Sequence, residues 1–134
     1  MAPLIAVVDD DISVRESLES LIRSAGMAVR LFCSAEDLVN SPHPCMADCF
    51  ILDVRLPGMS GIELNRFLIA SGCKAPVIFI TAHATDDSAK ADACTDSTIA
   101  YLIKPFGEDE LLDAVDAALK WKPAASGCRC ASKA

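Results

Sequence analysis

Leu4-Ile5-Ala6-Val7-Val8 is an unbroken apolar run that stops at Asp9-Asp10-Asp11. A strand half exposed to water alternates polar and apolar side chains, whereas one covered on both faces reads as continuous hydrophobic sequence. The run therefore predicts a central strand of a covered sheet, ending at Asp9. Behind it, Val14, Leu18, Leu21, Ile22 and Ala25 recur at helical spacing, and Gly26 can take the left-handed conformation that closes a helix.

The same unit repeats along the chain. Val29 to Phe32 predicts a second strand, and Ser34 with Asp37 three residues on opens a helix that Ser41-Pro42-His43-Pro44 cannot continue. Cys49-Phe50-Ile51-Leu52 predicts a third strand delivering Asp53, and Ser60 with Glu63 forms a capping box for a helix carrying Ile62, Leu64, Phe67 and Leu68. Pro76 to Ile80 predicts a fourth strand ending at Thr81. Residues 84 to 98 are rich in Ala, Asp, Ser and Thr and poor in large apolar anchors, so a helix there is the weakest element expected. Ile99 to Ile103 predicts a fifth strand running into Lys104-Pro105, and Leu111, Leu112, Val115, Ala118 and Leu119 a last helix ending near Trp121. Five strand-helix units imply an α/β fold, a flavodoxin-like (βα)5 doubly wound parallel sheet of order 2-1-3-4-5. One domain is expected over residues 1–121, with 122–134 a disordered tail.

Bulk properties bound the function. With 134 residues and 52% hydrophobic content the chain can bury one sizeable core. A net charge of −7 opposes the counterion-release attraction behind nucleic-acid binding, so no direct nucleic-acid contact is expected. No signal core precedes the first strand and no apolar run approaches the ~18 residues of a membrane span, which predicts a cytoplasmic protein without a membrane partner. Seven cysteines, an odd number without a secretory signal, are read as reduced thiols. His43, Cys45 and Cys49 offer three metal ligands, yet no paired CxxC and no fourth ligand accompany them.

In an open parallel sheet the strand ends converge on one crevice. Asp9, Asp10, Asp53, Thr81 and Lys104 all stand at such ends. Two unit charges ~4 Å apart repel by roughly 4 kcal/mol at an effective dielectric of 20, so three carboxylates there call for a cation. All-oxygen ligation with room for water suits Mg²⁺. Lys104 adds a second positive charge and Thr81 a hydroxyl. A carboxylate so placed can take a phosphoryl group, because phosphoryl transfer rests on positioning and charge neutralisation. Asp53, at the exit of the middle strand, is the expected acceptor, with Asp9 and Asp10 holding the ion. For any single residue, an acidic strand exit or helix start explains the pattern equally well; the four sites together are much harder to explain that way.

Four segments together resemble the receiver domain of two-component response regulators, and in detail the receivers of DNA-binding transcriptional regulators: Val7-Val8-Asp9-Asp10-Asp11, Ile51 to Gly61, Ile78-Phe79-Ile80-Thr81-Ala82, and Tyr101-Leu102-Ile103-Lys104-Pro105-Phe106. That resemblance implies Asp53 as phosphoacceptor, Asp9, Asp10, Asp53 and the backbone carbonyl of Arg55 around Mg²⁺, and Thr81 and Lys104 on the phosphoryl group. It places Tyr101, with Thr81, in the switch and implies a cis bond before Pro105. Arg55 and His83, two positions beyond the acceptor and the threonine, are candidates for tuning the lifetime of the phosphorylated state. Where the family usually has Gly-Ala before strand five, this chain has Ser97-Thr98.

The implied function is a phosphorylation-dependent switch that catalyses its own phosphotransfer and autodephosphorylation rather than an enzyme acting on external substrates. A sensor histidine kinase is the donor; the output is an unknown protein or domain, with phosphorylation-dependent dimerisation as one route. A Mg²⁺-dependent phosphohydrolase is the alternative, although Arg55 stands where haloacid-dehalogenase-like enzymes need a second aspartate. A degenerate receiver acting as a constitutive binding module is the third reading.

Overall fold

The computed structural model of the chain describes residues 2–82 and 98–121. Five strands, β1 (Leu4–Val8), β2 (Ala28–Phe32), β3 (Cys49–Asp53), β4 (Val77–Thr81) and β5 (Thr98–Ile103), pair in parallel in the order β2-β1-β3-β4-β5. Helices α1 (Ile12–Ser24), α2 (Ala35–Val39) and α3 (Gly61–Ala70) follow the first three strands, and a last helix spans Glu108–Lys120. The expected weak helix after strand four, His83 and the tail lie outside the described residues.

The continuous apolar runs are explained by cover on both faces. Successive side chains of β1 point opposite ways, so Ala6 and Val8 join Phe50, Leu52, Leu64, Leu68 and Phe79 in one buried cluster. Ile5 and Val7 join Leu18, Ile22, Ile51, Ile78, Ile80, Leu111 and Val115 in the other. The first cluster lies under α2 and α3, the second under α1 and the last helix. β5 forms an edge, and its residues are mostly half-buried.

Local signals set the helix starts. Asp11 accepts the Ser13 amide at 2.9 Å ahead of α1, and Ser34 accepts the Asp37 amide at 3.1 Å ahead of α2. Ser60 and Glu63 cap α3 reciprocally, at 3.1 and 3.0 Å. Gly61 is required at the first position of α3, because a Cβ there would strike the backbone carbonyl of Asp53.

Two findings depart from the sequence expectations. Cys45, in the loop after α2, and Cys73, in the turn after α3, are joined by a disulfide across a Cα–Cα separation of 5.3 Å, which corrects the reading of every cysteine as a reduced thiol. Each precedes its strand by four residues, and β3 and β4 are parallel neighbours, so the topology brings the two sulfurs to the same edge of the sheet. Cys33 and Cys49 are free thiols. The second departure is a bulge where β5 begins: Val77 pairs with Thr98 but Ile78 pairs with Ala100, so the edge strand carries one extra residue.

Candidate functional site: an acidic crevice at the strand ends

The crevice assembles from backbone first. β1 and β3 are adjacent and in register from Ile5/Cys49 to Val8/Leu52, so Asp9 and Asp53 emerge side by side. The amide of Val54 donates to the Ile80 carbonyl at 2.9 Å, and that of Lys104 donates to the Thr81 carbonyl at 2.7 Å, extending the ladder past the strand ends. The peptide bond between Lys104 and Pro105 is cis.

Side chains then converge across 95 residues of sequence. The Lys104 Nζ donates to Asp9 Oδ2 at 2.9 Å and to Asp53 Oδ2 at 3.3 Å. Asp9 and Thr81 are fully buried, Asp53 is 5% exposed, and Asp10 faces solvent. The free oxygens are also engaged: Asp9 Oδ1 accepts the Asp11 amide at 2.8 Å and Asp53 Oδ1 accepts the Arg55 amide at 3.1 Å. Carboxylate oxygens of Asp9, Asp10 and Asp53 all lie within 4.8 Å of one another.

Among the described residues, side-chain charge in this space is not balanced. Burial raises the Asp53 pKa to about 6, the Asp9 carboxylate beside it adds to the rise, and Lys104 opposes it. Burial alone would lower the Lys104 pKa, but the hydrogen bond to Asp9 and the charges of Asp53 and Asp9 outweigh that and raise it. Three carboxylates against the one ammonium seen among the described residues leave a site that favours a further cation, and an all-oxygen donor set half open to water fits a hard divalent ion such as Mg²⁺. His43, Cys45 and Cys49 form no such group: Cys45 is in the disulfide, and burial pushes the Cys49 thiol up to about 12.

A family profile described as the response regulator receiver domain matches residues 5–116. The chain belongs to the response regulator receiver family. The receiver is 42% identical over 122 residues to the response regulator protein TodT of Pseudomonas putida, an alignment covering 91% of this chain and 53% of TodT. It is 41% identical over 118 residues to the transcriptional regulatory protein TdiR of Thauera aromatica, covering 88% of this chain and 52% of TdiR. The receiver thus spans about half the length of these curated relatives. Among solved structures, it matches the receiver domain of a sensor histidine kinase from Pseudomonas aeruginosa PAO1, described with a magnesium ion coordinated in the active-site cleft. There the TM-score is 0.78 at 26% identity, over 90% of this chain and all of that one. Receivers of this family are switches in two-component signalling, and the CheY-like fold of the neighbours agrees with the sheet order found here.

The remaining candidates have definite places. Arg55 is exposed at the rim, directly after the buried Val54. Tyr101 is half-buried in β5 opposite Phe79, with ring centroids 6.4 Å apart and planes tilted by 44°. Sequence reasoning missed two residues that brace the crevice. Arg15 donates to the backbone carbonyl of Asp9 at 2.6 Å from the first turn of α1. Glu36 on α2 accepts the amide of Met59 at 2.9 Å. An arginine six residues beyond Asp9, at helical reach, was a usable signal for the first; nothing local marks the second. Among the described residues, no helix is long and apolar enough to cross a membrane.

Proposed function

We propose that this receiver accepts a phosphoryl group on Asp53 from the phosphohistidine of a sensor kinase and thereby changes a partner-binding surface. The observation that carries the reading is Lys104 Nζ bridging Asp9 and Asp53 at the strand ends. A lysine held there offsets the acceptor's negative charge and is positioned to follow it onto a phosphoryl oxygen.

Asp53 acts as the nucleophile. Its carboxylate attacks phosphorus, a P–O bond forms as the P–N bond to the donor histidine breaks, and the histidine leaves as neutral imidazole once protonated. Attack needs the ionised acid, so a pKa near 6 keeps Asp53 competent at neutral pH. Asp9, Asp10, Asp53 and the Arg55 carbonyl would hold Mg²⁺, which supplies neutralisation of phosphoryl oxygen charge when bound. The Thr81 hydroxyl would donate to the transferred group, and Lys104 would hold another of its oxygens. The later step, hydrolysis of the aspartyl phosphate, has water attack phosphorus and expel the Asp53 carboxylate as inorganic phosphate forms; Arg55, exposed beside the acceptor, and His83 are the candidates for tuning its rate.

Output follows from the edge of the sheet. Thr81 and Tyr101 lie on adjacent strands, and a shift of Thr81 toward the phosphoryl group would be sensed by the neighbouring Tyr101 ring. Domain bounds of 1–121 and a cytoplasmic setting belong to the same reading, and the likeness to TdiR supports transcriptional output through a further domain or partner. Arg55, two positions after Asp53, offers no acid/base carboxylate for turnover of external esters.

The test is incubation with acetyl phosphate and Mg²⁺ followed by intact mass. One hydroxylamine-labile phosphoryl adduct on the wild type and none on D53N is the expected result; steady release of phosphate from several esters, or no adduct, would reject the switch.

A further inference from the structure

We infer that Cys45 and Cys73 form a thiol–disulfide exchange site that accepts electrons from, and returns them to, small dithiols and glutathione-class disulfides. Three observations carry this. Their Cα atoms stand 5.3 Å apart, inside the range that a disulfide spans without backbone movement. Cys45 is exposed and Cys73 half-buried, so one sulfur of the pair is open to an attacking small molecule. The other two cysteines of the described residues cannot substitute for them. Cys49 is fully buried as the first residue of β3, and Cys33 stands exposed after β2 with its thiol donating to the Asp37 carboxylate at 2.7 Å.

The reaction balances with a glutathione-class disulfide as oxidant. The Cys45 thiolate attacks one sulfur of that disulfide and expels one glutathione thiolate, leaving a mixed disulfide on Cys45. The Cys73 thiolate then attacks the Cys45 sulfur and expels the second. Two electrons pass from the protein sulfurs to glutathione, and the two thiol protons end on the two released thiols. A dithiol reductant reverses each step.

The bond closes a loop of sequence separation 28 that contains β3, the Asp53 loop and α3. It lies at the N-terminal edge of β3 and β4, opposite the acidic crevice, so it clasps that unit from the far end without touching Lys104 or the carboxylates. A cross-link of this kind acts mainly by restricting the unfolded chain, and its effect grows with the length of chain enclosed.

The experiment equilibrates the full chain in buffers of reduced and oxidised glutathione, traps free thiols by alkylation and maps the peptides by mass. A Cys45–Cys73 bond in oxidising buffer, lost in dithiothreitol while the fold persists, is expected. Melting should fall by about 5–10 °C on reduction, and the C45S/C73S double variant should melt alike in both buffers. Glutathione adducts without a Cys45–Cys73 bond would overturn the inference, as would a bond that resists dithiothreitol in the folded chain. A redox-dependent melting point retained by the double variant would overturn it too.

Discussion

Glu36 Oε2 accepts the backbone amide of Met59 at 2.9 Å, tying the loop that follows Asp53 to α2. The contact is tight on its other side as well: Gly58 has φ +76°, and a Cβ there would come within 2.6 Å of the same carboxylate oxygen. The amide of Met59 holds the Glu36 pKa below the usual carboxylate value. Because the loop also carries the Arg55 carbonyl, Glu36→Ala should weaken Mg²⁺ binding roughly threefold, less than the tenfold or more seen for tightly held outer-shell partners. Glu36→Gln keeps an acceptor oxygen and should recover most of the loss. Isothermal titration of Mg²⁺ into the three proteins checks this; equal affinities would make the contact incidental.

Replacing Asp53 by Asn should stabilise the metal-free fold, and the gain should depend on pH in a definite direction. Asp53 titrates near 6 when folded against an ordinary value of 3.8. A folded carboxyl that holds its proton more tightly contributes stability below the unfolded pKa and loses it as pH rises through the folded one. Asn does not titrate. The melting difference between D53N and wild type should therefore be smallest near about pH 4 and widen to a few degrees above about pH 7. Thermal melts in chelator across that window decide it, and a difference that narrows with rising pH would contradict the assigned environment.

Mg²⁺ should raise the melting point of the wild type. A ligand that binds only the folded chain adds RT ln(1 + L/Kd), about 2.7 kcal/mol when its concentration is a hundredfold above Kd. Asp9→Asn removes a fully buried member of the acidic group and should abolish most of that shift. Scanning fluorimetry with millimolar Mg²⁺ reads both; an undiminished shift in D9N would remove Asp9 from the ion site.

Gly61→Ala should damage both fold and site. The added methyl strikes the Asp53 carbonyl, and a backbone atom cannot swing away as a side-chain end can. Overpacking of this kind costs about 1–3 kcal/mol, and here the displaced residue is the proposed phosphoacceptor itself. Denaturant melts and the acetyl phosphate assay should both register the loss; wild-type behaviour in both would mean that the loop yields freely.

Much of this was readable in the chain because buried parallel strands leave little ambiguity. Runs such as Ile51-Leu52 and Ile78-Phe79-Ile80 fill both core clusters, and the polar residue ending each run has nowhere to go but the crevice. Ser34, Ser60 and Glu63 announced helix starts because capping is a local hydrogen bond. The disulfide was not legible: an odd cysteine count argues against pairing, and the match of Cys45 with Cys73 exists only once β3 and β4 lie side by side. Glu36 was missed for a like reason, since its partner is 23 residues away and is a backbone amide that no residue type advertises.

The bulge opposite Val77 and Ile78 sets the phase of the edge strand. Had β5 continued in step from Thr98, Tyr101 would stand beside Ile80, on the side of the sheet covered by α1, and Leu102 beside Thr81. The single extra residue advances the frame by one, so that Tyr101 falls beside Phe79 and Ile103 beside Thr81. Lys104 then leaves the sheet at the one position from which its ammonium spans Asp9 and Asp53. Straightening this bulge without removing a residue, though remote from the carboxylates, would turn the aromatic ring to the wrong side and push the lysine one place further along. The spacing of the crevice is thus written at the far end of its outermost strand.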